Sequence, residues 1–137
     1  MSIPQSLRVA PTHQRVLIVD DIEDNRVLLE RILARAGYET ESCDSGARAL
    51  RLIGLRRPDL VLLDWMMPGL SGIEVLKVIR ETHTLKQLPI VMCTALGDRV
   101  SVVEAYGAGA NDFIQKPVVP SSLVALVQQH LRRPLAA

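Results

Sequence analysis

Aromatic residues are nearly missing from this 137-residue chain: Tyr38, Trp65, Tyr106 and Phe113 make up 3% of it. A core built from it must therefore be aliphatic. Cysteine is scarce as well, and Cys43 and Cys93 read as reduced, buried thiols, which excludes a disulfide-stapled scaffold. No apolar run approaches the roughly 18–20 residues of a membrane span. The stretch from Met1 to Pro11 carries one charge, Arg8, and lacks the apolar centre of a signal peptide. Nor is there an excess of either charge, since 16 Lys and Arg against 15 Asp and Glu leave +1. That balance excludes the strongly basic surface on which nucleic-acid readers rely. The remaining expectation is one soluble, cytoplasmic domain, with length enough to bury roughly two-thirds of its unfolded surface.

The aliphatic residues fall in short blocks. Val16–Val19, Leu60–Leu63, Ile90–Cys93 and the shorter Phe113–Ile114 are apolar without alternation, the mark of strands buried on both faces in a parallel sheet. Glu39–Cys43 alternates and carries charge, as an edge strand does. Helical patterns separate these blocks. Leu28, Leu29, Ile32, Leu33 and Ala36 form one apolar stripe, and Gly37 follows as a stop. Ser45 caps a second helix with Gly54 behind it, and Ser71 with Glu74 has capping-box spacing ahead of a third. Asp98 caps a short fourth helix ended by Gly107, and Pro120 opens a fifth. Strand and helix thus alternate five times, which predicts a three-layer α/β fold. Residues 1–13 read as a flexible lead-in, 14–131 as the domain, and 132–137 as a tail or the start of a truncated linker.

In such a sheet, chemistry collects beyond the carboxyl ends of the strands. The first predicted strand is followed by Asp20 and Asp21, the third by Asp64, the fourth by Thr94 and the fifth by Lys116 and Pro117. Three acids, a hydroxyl and a lysine converge at one rim. Two carboxylates about 5 Å apart repel by roughly 3 kcal/mol at an effective dielectric of 20, so a retained proton or a cation must relieve them. Oxygen ligands in an incomplete cage favour Mg²⁺, and a lysine beside a hydroxyl donor suits an added phosphoryl group at Asp64. A flavin-phosphate site at the same rim is disfavoured, because Asp20 and Asp21 would repel the phosphate. A phosphatase with an Asp nucleophile would want a second acid where Ile22 stands. Arg48, Arg51, Arg56 and Arg57 read as a solvated face, Trp65 as a partly exposed rim residue, and His13, His83 and His130 as scattered.

The segments Val19–Asp21, Pro58–Gly69, Thr94–Ala95 and Gly109–Pro117, in this order and spacing, closely resemble the receiver domain of bacterial two-component response regulators. The resemblance runs over roughly residues 14–131. It implies a flavodoxin-like sheet of order 2-1-3-4-5, the order the receiver family itself illustrates. It implies Asp64 as phosphoacceptor. Asp21, Asp64 and the backbone carbonyl of Met66 then become ligands of Mg²⁺, with Mn²⁺ as a substitute, and Asp20 acts through a metal-bound water. Thr94 and Lys116 become the phosphoryl-binding pair, Phe113 the aromatic switch, and Lys116–Pro117 a cis bond. Met66 and Leu96 stand where the family sets its dephosphorylation rate. Two departures are modest: Phe113 lacks a tyrosine's hydroxyl, and Ser71 replaces a frequent acid.

The implied partners are a sensor histidine kinase or a histidine phosphotransfer protein upstream. Downstream they are an effector protein or a missing output domain, reached through the face of the fourth helix, fifth strand and fifth helix, and a homodimer formed on phosphorylation. Direct contact with nucleic acid or membrane is not implied. The protein would be no enzyme beyond catalysing its own phosphorylation and dephosphorylation.

Overall fold

The computed structural model describes residues 14–95 and 99–132. Five strands alternate with five helices: β1 (Arg15–Val19), α1 (Glu23–Arg35), β2 (Glu39–Cys43), α2 (Gly46–Leu55), β3 (Leu60–Asp64), α3 (Gly72–Arg80), β4 (Ile90–Thr94), α4 (Arg99–Ala108), β5 (Asp112–Gln115) and α5 (Pro120–Leu131). All neighbouring strands pair in parallel, in the order β2-β1-β3-β4-β5. This is the three-layer doubly wound sheet that the apolar blocks predict.

The period of two along each strand divides the core. Val16 and Ile18 of β1, Leu60 and Leu62 of β3, and Val91 and Cys93 of β4 pack with Leu29, Leu33, Leu123 and Val127 of α1 and α5. Their neighbours Leu17, Val19, Val61, Leu63, Ile90 and Met92 pack on the other face with Ala49, Ile53, Val75, Leu76 and Ile79 of α2 and α3. Both faces of β1, β3 and β4 are thus dry, which is why these strands do not alternate in polarity. β2 lies at the edge, and only Cys43 within it is buried.

Most helix signals hold, for stated physical reasons. Ser45 and Ser71 accept from the backbone N–H groups of Arg48 and Glu74 at 3.2 and 3.3 Å. Gly37, at φ +95°, ends α1 with bonds from Gly37 N to Ala34 O and Tyr38 N to Leu33 O, a Schellman turn. Two expected stops move. α2 runs through Gly54 to Leu55, because Arg56 leaves the helix in extended conformation (φ −154°) and no left-handed residue is needed. α4 runs past Gly107 to Ala108, and Gly109 at φ +106° makes the turn, with Gly109 N bonded to Tyr106 O and Ala110 N to Ala105 O. The α1 stripe is also wider than the sheet can cover. Leu29 and Leu33 are buried, whereas Leu28 stays 49% exposed over the groove between α1 and α5. The expected cap Asp98 lies outside the described residues.

Two arginines fasten the loops. Arg15 bridges the Glu41 carboxylate (3.1 Å) and the Arg56 carbonyl (2.7 Å), while its backbone N–H donates to Asp59 (2.7 Å). Arg80 donates to the carbonyls of Gly109 (2.7 Å), Leu88 (2.8 Å), Thr84 (3.1 Å) and His83 (3.3 Å) and to Asn111 Oδ1 (2.7 Å). That Asn111 oxygen also accepts from Ile90 N. The Gly109–Asn111 segment is therefore a splice between α3, β4 and β5.

Gly72 opens α3 against the backbone of β3, and its N–H donates to Trp65 O at 2.9 Å. A Cβ there would collide with the Asp64 carbonyl and crowd the Trp65 backbone, neither of which can yield easily. Gly54 meets nothing within 4 Å. Gly72→Ala is therefore expected to lower stability by about 1–3 kcal/mol, and Gly54→Ala to raise it by about 0.5–1 kcal/mol. Denaturant midpoints of the two variants check both signs.

Candidate functional site

The strand order fixes where the polar residues meet. β1 and β3 are neighbours at the centre of the sheet, yet α1 leaves toward one face and α2 and α3 toward the other. A crevice opens where the connections diverge. Asp20 follows β1, Asp64 ends β3, Thr94 ends β4, and Lys116 follows β5. All four meet this rim, and Asp20 (1% exposed), Asp64 (5%) and Thr94 (3%) are buried. Carboxylate oxygens of Asp20, Asp21 and Asp64 lie within 4.8 Å of one another. Lys116 Nζ donates to Asp20 Oδ2 and to Asp64 Oδ1, each at 3.0 Å. The Lys116–Pro117 bond is cis. Lys116 N also bonds to Thr94 O at 2.8 Å, which brings the fourth and fifth strand ends together.

The electrostatics follow from burial among like charges. Burial pushes the Asp64 carboxyl above the usual range, the Lys116 hydrogen bond pulls it back, and Asp20 and Asp21 push it up again, with a net rise. Burial alone would lower the Lys116 ammonium, but its bonds to Asp64 and Asp20 outweigh that and hold it above its ordinary value. One cation thus serves two buried anions, with Asp21 the most exposed of the three acids. Three carboxylates so close form an all-oxygen donor set that fits a hard divalent cation of the Mg²⁺ class. Cys93 sits behind Lys116 and Asp64, but burial pushes its thiol up to about 12, so it is an inert core residue.

The remaining expected residues divide. Phe113 packs against the core from β5 and meets Tyr106 of α4 edge-to-face, with ring centres 6.1 Å apart. Met66 stands two residues past Asp64 with its side chain 65% exposed. Leu96 lies outside the described residues. Trp65 corrects an expectation: it is 8% exposed and belongs to the core with Met67 and Ile73, because its backbone N–H pairs with Cys93 O and extends the strand by one residue. His130 is not isolated either. Its Nε2 lies 3.1 Å from Asp112 Oδ2, and Tyr106 Oη donates to Asp112 Oδ1 at 3.3 Å, so one carboxylate joins α4, β5 and α5. Sequence reasoning also missed Asn25 and Arg26, which contact Asp20 from the first turn of α1. Their spacing from Asp20 matches no motif.

A doubly wound sheet with an acidic crevice at its switch point and a lysine across it presents an oxygen donor set that could hold a cation, rather than a nucleotide cradle. Residues 16–128 match the family described as the response regulator receiver domain. The chain belongs to that family and is a receiver domain of two-component signalling. It is 44% identical over 120 residues to the DNA-binding response regulator MtrA of Mycobacterium tuberculosis, covering 88% of this chain and 51% of that protein. It is 40% identical over 118 residues to the phosphate regulon transcriptional regulatory protein PhoB of Pseudomonas aeruginosa, covering 86% and 52%. The chain therefore spans about half the length of these curated relatives. Among solved structures it is similar to the chemotaxis protein CheY4 of Vibrio cholerae, with a TM-score of 0.82, 32% identity, and coverage of 88% of this chain and 100% of that one. The signal receiver domain of a signal transduction histidine kinase from Syntrophus aciditrophicus gives 0.79 at 32% identity, covering 90% and 97%.

The raised Asp64 carboxyl has a sign that can be measured. Its ionised form is worse off folded than unfolded, so the penalty is full above the folded pKa and fades as pH falls through it. Asp64→Asn without metal is expected to stabilise the domain near pH 7. The gain should shrink as the pH is lowered through the carboxylate range. Thermal unfolding in a chelator at several pH values checks both.

Proposed function

We propose that this receiver domain takes a phosphoryl group onto Asp64 from the phosphohistidine of a sensor histidine kinase or a histidine phosphotransfer protein. The observation that carries this reading is the Lys116 ammonium placed 3.0 Å from both Asp64 and Asp20. An Asp64 oxygen attacks phosphorus, and the phosphorus–nitrogen bond of the donor breaks. Its electron pair stays on the imidazole nitrogen, which takes up a proton from solvent. Lys116 then leaves the Asp64 carboxylate for an incoming phosphoryl oxygen, and Thr94 offers its hydroxyl from the neighbouring strand end. Asp21, Asp64 and the Met66 carbonyl would hold Mg²⁺ or Mn²⁺, with Asp20 acting through a water; when bound, the ion neutralises charge on the phosphoryl oxygens.

Phosphorylation adds about −1.5 to −2 charges to a site already holding three acids. Thr94 moves toward that charge and Phe113 shifts inward behind it, which alters the face of α4, β5 and α5. The contacts among Tyr106, Asp112, Phe113 and His130 lie on this face, so they are what the switch would rearrange. The exposed apolar side chains of Ile22, Met66 and Val119, in the loops after β1, β3 and β5, offer the upstream partner a surface round the crevice. The output belongs to an effector protein or to a domain beyond the segment shared with the twofold longer relatives. DNA binding, which the name of the relative MtrA carries, is assigned to that further part. The altered face would also seat a second phosphorylated copy. No helix among the described residues is long and apolar enough to cross a membrane, in keeping with a cytoplasmic site of action.

Treatment with acetyl phosphate and Mg²⁺ is expected to add one phosphoryl group, read by intact mass and mapped to Asp64. Asp64→Asn should gain none, and gain at the wild-type rate would overturn the assignment. The phosphoryl group is further expected to be long-lived, because neither Met66 nor Leu96 can orient an attacking water. Losing a hydrogen-bond-sized term of about 1–3 kcal/mol slows hydrolysis about ten- to hundredfold. A Met66→Asn, Leu96→Glu double variant should shed phosphate faster by that factor in a decay assay of isolated protein.

A further inference from the structure

We propose that Asn25 is the positioning residue of the acidic crevice. It fixes the Asp20 carboxylate for the metal site without neutralising it. The inference rests on the metal reading of the crevice given above.

The buried Asp20 side chain makes four contacts. Oδ1 accepts from Ile22 N (2.9 Å) and, more distantly, from Asn25 Nδ2 (3.5 Å). Oδ2 accepts from Lys116 Nζ (3.0 Å) and from Asn25 Nδ2 (3.2 Å). Among the described residues, the Asn25 amide is thus the one side chain that spans both oxygens. Arg26, next in the same turn of α1, donates to the Asp20 carbonyl at 2.8 Å and ties that turn to the end of β1.

These donors differ in what they can do during phosphorylation. Lys116 also holds Asp64 and is the cation best placed to meet a phosphoryl oxygen, so it cannot serve Asp20 throughout. Ile22 N reaches one oxygen only and leaves the other free to swing. Asn25 stays, and its amide is neutral. A lysine or arginine in its place would compete for the charge that a divalent ion needs, and an aspartate would add a fourth anion. A neutral double donor orients the carboxylate and leaves its charge for the ion.

Mg²⁺ affinity, read by the fluorescence of Trp65 beside Asp64, tests this without phosphorylation. Asp20 meets the ion through a water, so Asn25 stands one step further out than the groups whose loss costs about 10–100-fold in metal affinity, and the low end of that range applies. Asn25→Ala is expected to weaken Mg²⁺ binding about tenfold, and Asn25→Gln, which keeps the amide, to recover part of that loss. In an Asp20→Ala background, where nothing remains to be oriented, Asn25→Ala should change affinity less than twofold, a non-additivity that general loosening of α1 would not produce. Asn25→Ala within twofold of wild type, or an equal loss in both backgrounds, overturns the proposal. Unaltered protein that shows no Mg²⁺ binding overturns the metal reading itself and this inference with it, and that result needs no substitution to be seen.

Discussion

The Lys116 ammonium, shared between Asp20 and Asp64 at 3.0 Å each, is the interaction on which the functional end of this domain depends. Both acids are buried at the edge of a dry sheet, where mutual repulsion is weakly screened. Without a cation between them the crevice would have to take up a proton or splay open. The balance stays incomplete even so, since Asp64 remains raised and three carboxylates crowd one ammonium. Such an excess of carboxylate over ammonium is a donor set that could hold a further cation.

Holding that set together requires a scaffold that does not relax. The central strands β1, β3 and β4 are packed on both faces, so the strand ends cannot drift apart without opening two cores together. At the loops, Arg80 donates to carbonyl and amide oxygens, and burial lowers its pKa. It fixes the C-terminal end of α4 and the entry to β5. The Tyr106–Asp112–His130 contacts lie on that same entry, where one carboxylate joins α4, β5 and α5 beside Phe113.

The parallel sheet was legible because double-sided burial leaves unbroken aliphatic runs, and the rim because a charged or hydroxyl residue follows each run at once or, after Phe113–Ile114, one residue later. Asp20, Asp21, Asp64, Thr94 and Lys116 are local signals of that kind. Helix starts at Ser45 and Ser71 were legible for the same reason, since a cap bonds only three residues along. Gly54 and Gly107 misled, because a glycine permits a left-handed turn but does not require one. Trp65 misled because the strand pairing continues past Asp64 and carries the indole inward.

What the sequence by itself determined is thus the set of short-range facts: which segments are strands, which helices are capped, and which acids follow which strands. Asn25 acquires its role only when α1 folds back over the end of β1, and Lys116 reaches Asp20 across 96 residues of chain. The meeting of Tyr106, Asp112 and His130 likewise needs β5 laid between α4 and α5. Periodicity and capping act over one or two turns and can be read along the chain. Side-chain partners across a crevice depend on sheet order and helix placement, which arise from packing two cores at once, and only the tertiary structure decided them.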